Sequence, residues 1–340
     1  MRDGRGRLAA LAAGCVALAL ACSGALAAEK VKIGTLKTTG SGVVYIAQER
    51  GYFAAEGLDT ELIYFESAQP ISVATTSGDI DIGYTGFTGG FYSMASQGAL
   101  KIVGGGPSEH RGFQYQPFLV SNRAWDSGLR SFKDFPGHSF ALSQIGSPPH
   151  YALALLGMKY GFELKSMRIL PLQSIPNVAS AIVGAQADTA MVPGNVGAPL
   201  VERGEVKRLG YAGDETPYQL VGVFVTGKTA DTRHDMIAHT LAALRKAARD
   251  YHDAFTGPDG THQDGPTAPD ILAILAKYTG QPVAAVAHAI PYSDPEGRLD
   301  VADVLRQVEW YKSQGAVKGE VGGEAMIDRR YATALAGAAN

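Results

Sequence analysis

The sequence predicts an α/β protein of two lobes, each a parallel-rich sheet flanked by helices. Three observations predict it. Short β-rich runs alternate with helical runs in two series, at 31–105 and 139–212; that order implies a parallel, helix-covered sheet. Two extended stretches without helical period, 107–121 and 218–227, follow the two series and read as crossings between lobes. With 340 residues and 46% hydrophobic content, the chain can bury two cores. The expected division is 28–112 with 222–340 in the first lobe and 113–221 in the second.

The elements follow in order. "VKIGTL" (31–36) is a strand, and 42–50 a helix stopped by Gly51. "DTELIYF" (59–65) is the next strand, and 68–77 a helix that carries Pro70 in its first turn. "DIDIGY" (79–84) alternates charge and isoleucine as a half-exposed strand. A helix at 87–97 and the strand "LKIVGG" close the first series. The second series gives strands 139–143, 167–172, 188–192 and 207–212, with helices at 148–160, 176–184 and 196–203. From 235 the chain is mostly helical: Ile237, Leu241, Leu244, Ala248 and Tyr251 share one face. Helices at 268–278 and 300–314 follow a polar loop at 256–266.

The N-terminus reads as an export signal. "MRDGRGR" is basic, "LAALAAGCVALALAC" is an apolar core, and "ALA" at 25–27 is a cleavage site. Residues 1–27 are therefore a signal peptide and the mature chain is periplasmic. Lipidation of Cys22 is the alternative anchor. Cleavage takes away Arg2, Arg5, Arg7 and Asp3, so a formal net charge of -3 becomes -5. An acidic balance argues against a nucleic-acid partner. Both cysteines, Cys15 and Cys22, lie in the signal, which leaves no disulfide or thiol chemistry.

Four strand-to-helix junctions carry the site prediction. They hold Thr38, Thr39, Gly40 and Ser41; Tyr84, Thr85 and Gly86; Gln144, Gly146 and Ser147; and Pro193 and Asn195. Each sets Gly beside Ser, Thr or Asn at a helix N-terminus, behind the carboxyl end of a parallel strand. Ligands of open α/β sheets bind at that edge, and helix N-termini suit anions. Capping alone explains any single junction; four together suggest a shared cleft. Ser147 before Pro148 reads as a plain N-cap whose hydroxyl belongs to its helix. Arg111 and His150 are the nearest basic candidates. The eight histidines are scattered without a zinc motif, and no Walker A loop or nucleophile elbow occurs. Asp79 and Asp81, two apart on the expected strand, would share a face and could form an acid–base pair. No cofactor is implied.

Gly51-Tyr52-Phe53, Glu56-Gly57-Leu58 and Ser77-Gly78-Asp79-Ile80-Asp81-Ile82-Gly83 resemble the periplasmic binding proteins for sulfonates, taurine and nitrate, which share their fold with the NMT1/THI5-like proteins. "LDVADVLRQVEWYKSQGAVKGEV" (299–321) is similar to their closing helix. The resemblance spans about 31–330. It implies a type II periplasmic-binding-protein fold and a monomer that passes a small organic anion to the permease of an ABC transporter without catalysing a reaction. A pyrimidine-related binding protein or enzyme on the same fold is the alternative. The cysteine-rich motif of the pyrimidine synthases is missing from the mature chain, and the arginine often used to clamp a sulfonate has no match.

Overall fold

The computed structural model describes residues 28–318 and 322–335. The signal peptide expected at 1–27, with Cys15 and Cys22, lies outside the described residues.

Ten strands among the described residues form two five-stranded sheets of the same plan. The first has the order β2-β1-β3-β10-β4: β1 Glu29–Leu36, β2 Leu58–Phe65, β3 Ile82–Gly86, β4 Leu100–Gly105 and β10 Val221–Thr226. The second has the order β7-β6-β8-β5-β9: β5 Pro117–Ser121, β6 Ser139–Leu142, β7 Arg168–Pro171, β8 Thr189–Met191 and β9 Val206–Tyr211. Four strands of each sheet run the same way. The fifth is the crossing strand, β10 or β5, which wedges antiparallel between two others. The chain thus finishes four strands of one lobe, crosses to complete the other sheet, and later crosses back. Two parallel-rich lobes flanked by helices are what the alternation predicts. Strand direction and insertion, by contrast, are long-range choices that local periodicity does not encode.

The central strands are buried on both faces. Every residue of β3, β5 and β6 is buried, as expected when helices cover both sides of a sheet. Two bounds shift for identifiable reasons. The strand expected at 79–84 begins at Ile82, and Asp79 to Asp81 form the turn after Gly78. Asp81 accepts the Lys32 N–H at 2.8 Å and pairs with Arg233, while Asp79 accepts the Ser77 hydroxyl at 2.7 Å. The two carboxylates are therefore tied separately and do not form an acid–base pair. The helix expected at 87–97 starts at Gly89, because Thr88 caps it by accepting the Phe91 N–H at 3.0 Å.

The lobes touch beside the cleft. Gly89 N donates to Gly146 O at 2.8 Å, and Tyr311 OH donates to the same carbonyl at 2.9 Å. The helix Val301–Ser313 packs its Trp310 on Tyr151 of the second lobe, with ring centroids 5.4 Å apart. Within it, buried Asp303 accepts from Gln219 N and Gln307 Nε2, both at 2.7 Å, and from Tyr151 OH at 3.2 Å. One carboxylate so joins a crossing, the closing helix and the second lobe.

Candidate functional site

The carboxyl edges of the two sheets face each other across a cavity that offers about 70 Å³ to the centres of water-sized molecules, several times the space of one water. Three junctions from each sheet line it, at corresponding strands. From the first sheet come Thr38, Gly40 and Ser41 after β1, Ser67 and Ala68 after β2, and Tyr84 to Gly86 at the end of β3. From the second come Ser143, Pro148 and Pro149 after β6, Ile175 and Val178 after β7, and Val192 and Pro193 after β8. Tyr115, Gln116, Leu220 and Val221 of the crossings complete the wall.

Most of this lining is apolar, and among the described residues no Asp, Glu, Lys, Arg or His belongs to it. Its polar groups divide into committed and free. Ser41 Oγ accepts from Thr35 at 2.8 Å and donates to Leu36 O at 2.8 Å, so its hydroxyl serves the β1 junction. Tyr218 OH donates to Gln116 Oε1 at 3.0 Å, leaving the amide nitrogen of Gln116 as a donor. Tyr84 OH and Thr85 Oγ1 are buried and have no partner among the described residues. Burial raises the pKa of the Tyr84 phenol, which keeps its proton.

Of the predicted residues, Thr38, Gly40, Ser41, Tyr84, Thr85, Gly86 and Pro193 come together on the cavity. Thr39, Gln144, Ser147 and Asn195 sit in the junctions but off the cavity wall. Thr39 Oγ1 donates instead to Ala289 O, which packs the segment after the helix Val283–Ala287. Ser147 does occupy the N-cap, yet its hydroxyl makes no capping bond and has no partner. Pro149 has no N–H to offer it and the His150 N–H goes to Ser147 O at 2.9 Å, so the expected commitment of that hydroxyl is absent. Arg111 is exposed on the first crossing, away from the cavity.

His150 and Gly146 line a different cleft, with Gly89, Trp310 and Tyr311, on the outer side of the lobe contact. His150 Nδ1 accepts the Gly146 N–H at 3.1 Å, which places any ring proton of the neutral form on Nε2. Burial lowers its pKa, and its ring meets Trp310 edge-on at 5.2 Å. It is a neutral packing residue and no cationic clamp.

Among the lining positions outside the predicted set are Ser67, Ile175 and Val178. Ser67 carries the same signature as the four chosen junctions, a hydroxyl between strand and helix, and could have been found by it. Ile175 and Val178 could not, because an apolar helix start looks like core.

Glu109 carries another unseen feature. Glu109 lies in the first extended crossing, and both its carboxylate oxygens are buried without a hydrogen-bond partner among the described residues. Its backbone exchanges hydrogen bonds with Tyr218 at 3.0 and 3.1 Å, joining the two crossings. Burial pushes its pKa well above the ordinary 4.5; the nearby N–H groups of Gln116 and Gly213 offset this only in part, and Asp214 adds to it. The native state therefore holds this proton more tightly than the unfolded chain does. Its contribution is full below pH 4.5 and is lost as pH rises through the folded value. Glu109→Gln is expected to flatten that fall and to gain at least about 1 kcal/mol at alkaline pH, the scale of an unsatisfied buried polar group. Thermal melts of the two proteins across pH check it; parallel curves would refute it.

Residues 38–259 match the family model described as NMT1/THI5 like. No curated protein matches the sequence. Among solved structures, the alkanesulfonate-binding protein SsuA from Xanthomonas axonopodis pv. citri bound to MOPS is 19% identical; the match covers 88% of this chain and 98% of that one, with a TM-score of 0.70. The periplasmic nitrate-binding protein NrtA from Synechocystis PCC 6803 is 13% identical over 87% of this chain and 84% of its own, with a TM-score of 0.66. The desulfurization enzyme DSZB is 13% identical over 90% and 96%, with a TM-score of 0.60. At such identities the likeness is one of fold. Since the family model spans well over half of the sequence, the chain belongs to the NMT1/THI5-like family.

Proposed function

We propose that this protein is the solute-binding component of an ABC importer, working as a periplasmic monomer. It captures a small organic solute between its lobes and delivers it to the permease. The observation that carries this reading is the cavity itself: three junctions from each sheet, at matching strands, meet around one space. Such a site exists only while the lobes are together, which suits capture and release by hinge motion. The lobes in this proposal are 28–112 with 222–340, and 113–221, which move about the two crossings. The lining brings hydroxyls and apolar walls together but no acid–base or nucleophile–base pair, which favours binding over turnover. An anionic head group, such as a sulfonate or carboxylate, is the class favoured by the junction chemistry and by the names of the sulfonate- and nitrate-binding structures. It would be held by N–H and hydroxyl groups alone.

Small-angle scattering and thermal melts with a panel of organic solutes test the reading. A true solute at 100 times its Kd should add roughly 2.7 kcal/mol of stability and give a smaller radius of gyration. Steady chemical conversion of the stabilising compound would favour an enzyme.

A further inference from the structure

We infer that the solute lies with its ends divided between the lobes. Its anionic head sits on the first lobe, at the start of the helix Ala68–Ser77 and the hydroxyl of Thr85, with Lys37 nearby as countercharge; an uncharged apolar body lies against the second lobe. The inference rests on the reading of an anion-binding protein and narrows it to monoanions with an apolar body.

The two sets of junctions differ in kind. Those of the first sheet bring five hydroxyl side chains to the cavity wall, from Thr38 to Thr85. Those of the second bring Pro148, Pro149, Ile175, Val178, Val192 and Pro193 against one hydroxyl, Ser143. The helix starts differ in the same sense. Pro148–Tyr160 opens on two prolines, which have no N–H to present. At Ile175–Val183 the Ile175 N–H goes to Glu66 O at 3.4 Å, Pro176 has none, and the Asn177 N–H goes to Ser174 Oγ at 3.3 Å. Both starts are thus closed to an anion. Ala68–Ser77 is open: its N-cap Ser67 makes no side-chain bond to the helix, and the N–H groups of Ala68 and Gln69 have no acceptor within it. Such a start suits a negative charge.

Thr85 adds a donor at the same place. Gly83 pairs with Gly34 in the parallel ladder, and a Cβ at Gly34 would meet Ile71 of this helix. Thr85, two residues after Gly83, therefore faces the same side of the sheet, while Tyr84 faces the other. The Thr85 hydroxyl lines the cavity, the residue is 3% exposed, and the hydroxyl has no partner among the described residues. A buried donor in that state gains from an acceptor that the solute brings.

Lys37 supplies the charge. It lies between Leu36 and Thr38, which are both on the wall. Its side chain is exposed and holds Nζ over the Tyr64 ring, 5.1 Å from the centroid. Tyr64 belongs to β2, three residues before Ser67, so the ammonium stands beside the strand that leads into the anion seat. From there it attracts the head through solvent, an effect that salt screens. Glu66, next to Ser67, is exposed as well and opposes it. A second charge on the body of the solute would have to enter the apolar half of the cavity without a partner, which is strongly unfavourable.

Four probes test this on the intact mature protein by calorimetric titration and thermal shift: butane-1-sulfonate, its 4-amino derivative, butane-1-sulfonamide and nitrate. Butane-1-sulfonate should bind; the zwitterion, the neutral sulfonamide and the ion without a body should each bind at least about a hundred-fold more weakly. Lys37→Gln should weaken butane-1-sulfonate about ten-fold at about 0.01 M salt and hardly at all at 1 M, as the Debye length falls from roughly 30 to 3 Å. Lys37→Arg should bind like the parent, and Glu66→Gln slightly more tightly. Thr85→Val should weaken binding about ten-fold at both salt concentrations, with an unchanged melt of the solute-free protein. Equal binding of the zwitterion would overturn the division between the lobes, and an unchanged salt dependence in Lys37→Gln would overturn the role of Lys37. Binding of none of the four would overturn the whole inference. Compaction by another solute would then keep the binding-protein reading, and compaction by none would remove both.

Discussion

Gly86→Val is expected to weaken solute capture ten- to hundred-fold while the fold survives. A Cβ at Gly86 would lie 2.7 Å from Cγ of Pro148 and 3.4 Å from the carbonyl oxygen of Leu220. Pro148 belongs to the opposite lobe and its ring cannot swing aside. The overlap therefore falls across the cleft, and the cheapest relief is for the lobes to stay apart. Overpacking of this kind costs about 1–3 kcal/mol, drawn here from the closed state alone. Scattering should show that saturating solute no longer compacts the variant, with a melting temperature near that of the solute-free parent. A collapsed melt would mean that Gly86 serves its own sheet instead. Gly40→Val should be milder, because its Cβ would meet the hydroxyl end of Tyr115 at 2.7 Å, the far end of a long side chain. The sequence suggests that these glycines let a ligand approach the backbone; the structure adds that they let the lobes approach each other.

Asp303→Ala is expected to cost about 3 kcal/mol of stability or more. The carboxylate is buried and takes hydrogen bonds from Gln219 N, Gln307 Nε2, Tyr151 OH and Arg306, which lies 3.1 Å away. Burial raises its pKa, against the pull of the Gln307 and Gln219 donors and of Arg306. Its removal strands several buried donors at once, and each costs about 1–3 kcal/mol. Denaturant melts should show the loss, with Asp303→Asn recovering part of it by keeping the shape and one acceptor. Because Tyr151 belongs to the second lobe, the alanine variant should also close less completely on solute. A variant as stable as the parent would mean that water replaces the carboxylate and that the network is not a latch.

Much of the frame was legible from residues alone. The alternation of β-rich and helical runs, Gly51 as a helix stop and the hydroxyl–glycine junctions are local signals, since burial of one face and capping of one end act within a few residues. From them came the α/β class, the two crossings and seven residues of the cavity wall. Other features needed the folded chain. That β5 and β10 enter antiparallel depends on pairing strands far apart in sequence, as Phe118 with Met191 and Val221 with Gly86. That Ile175 and Val178 join Ser67 on the wall, while His150 and Gly146 turn to an outer cleft, depends on how two sheets are set against each other. No local signal marks Glu109: it is Tyr218, some hundred residues away, that pairs with its backbone and brings the second crossing against it. Periodicity and capping specify which residues must leave water; only the long-range packing of the lobes decides which of them then meet.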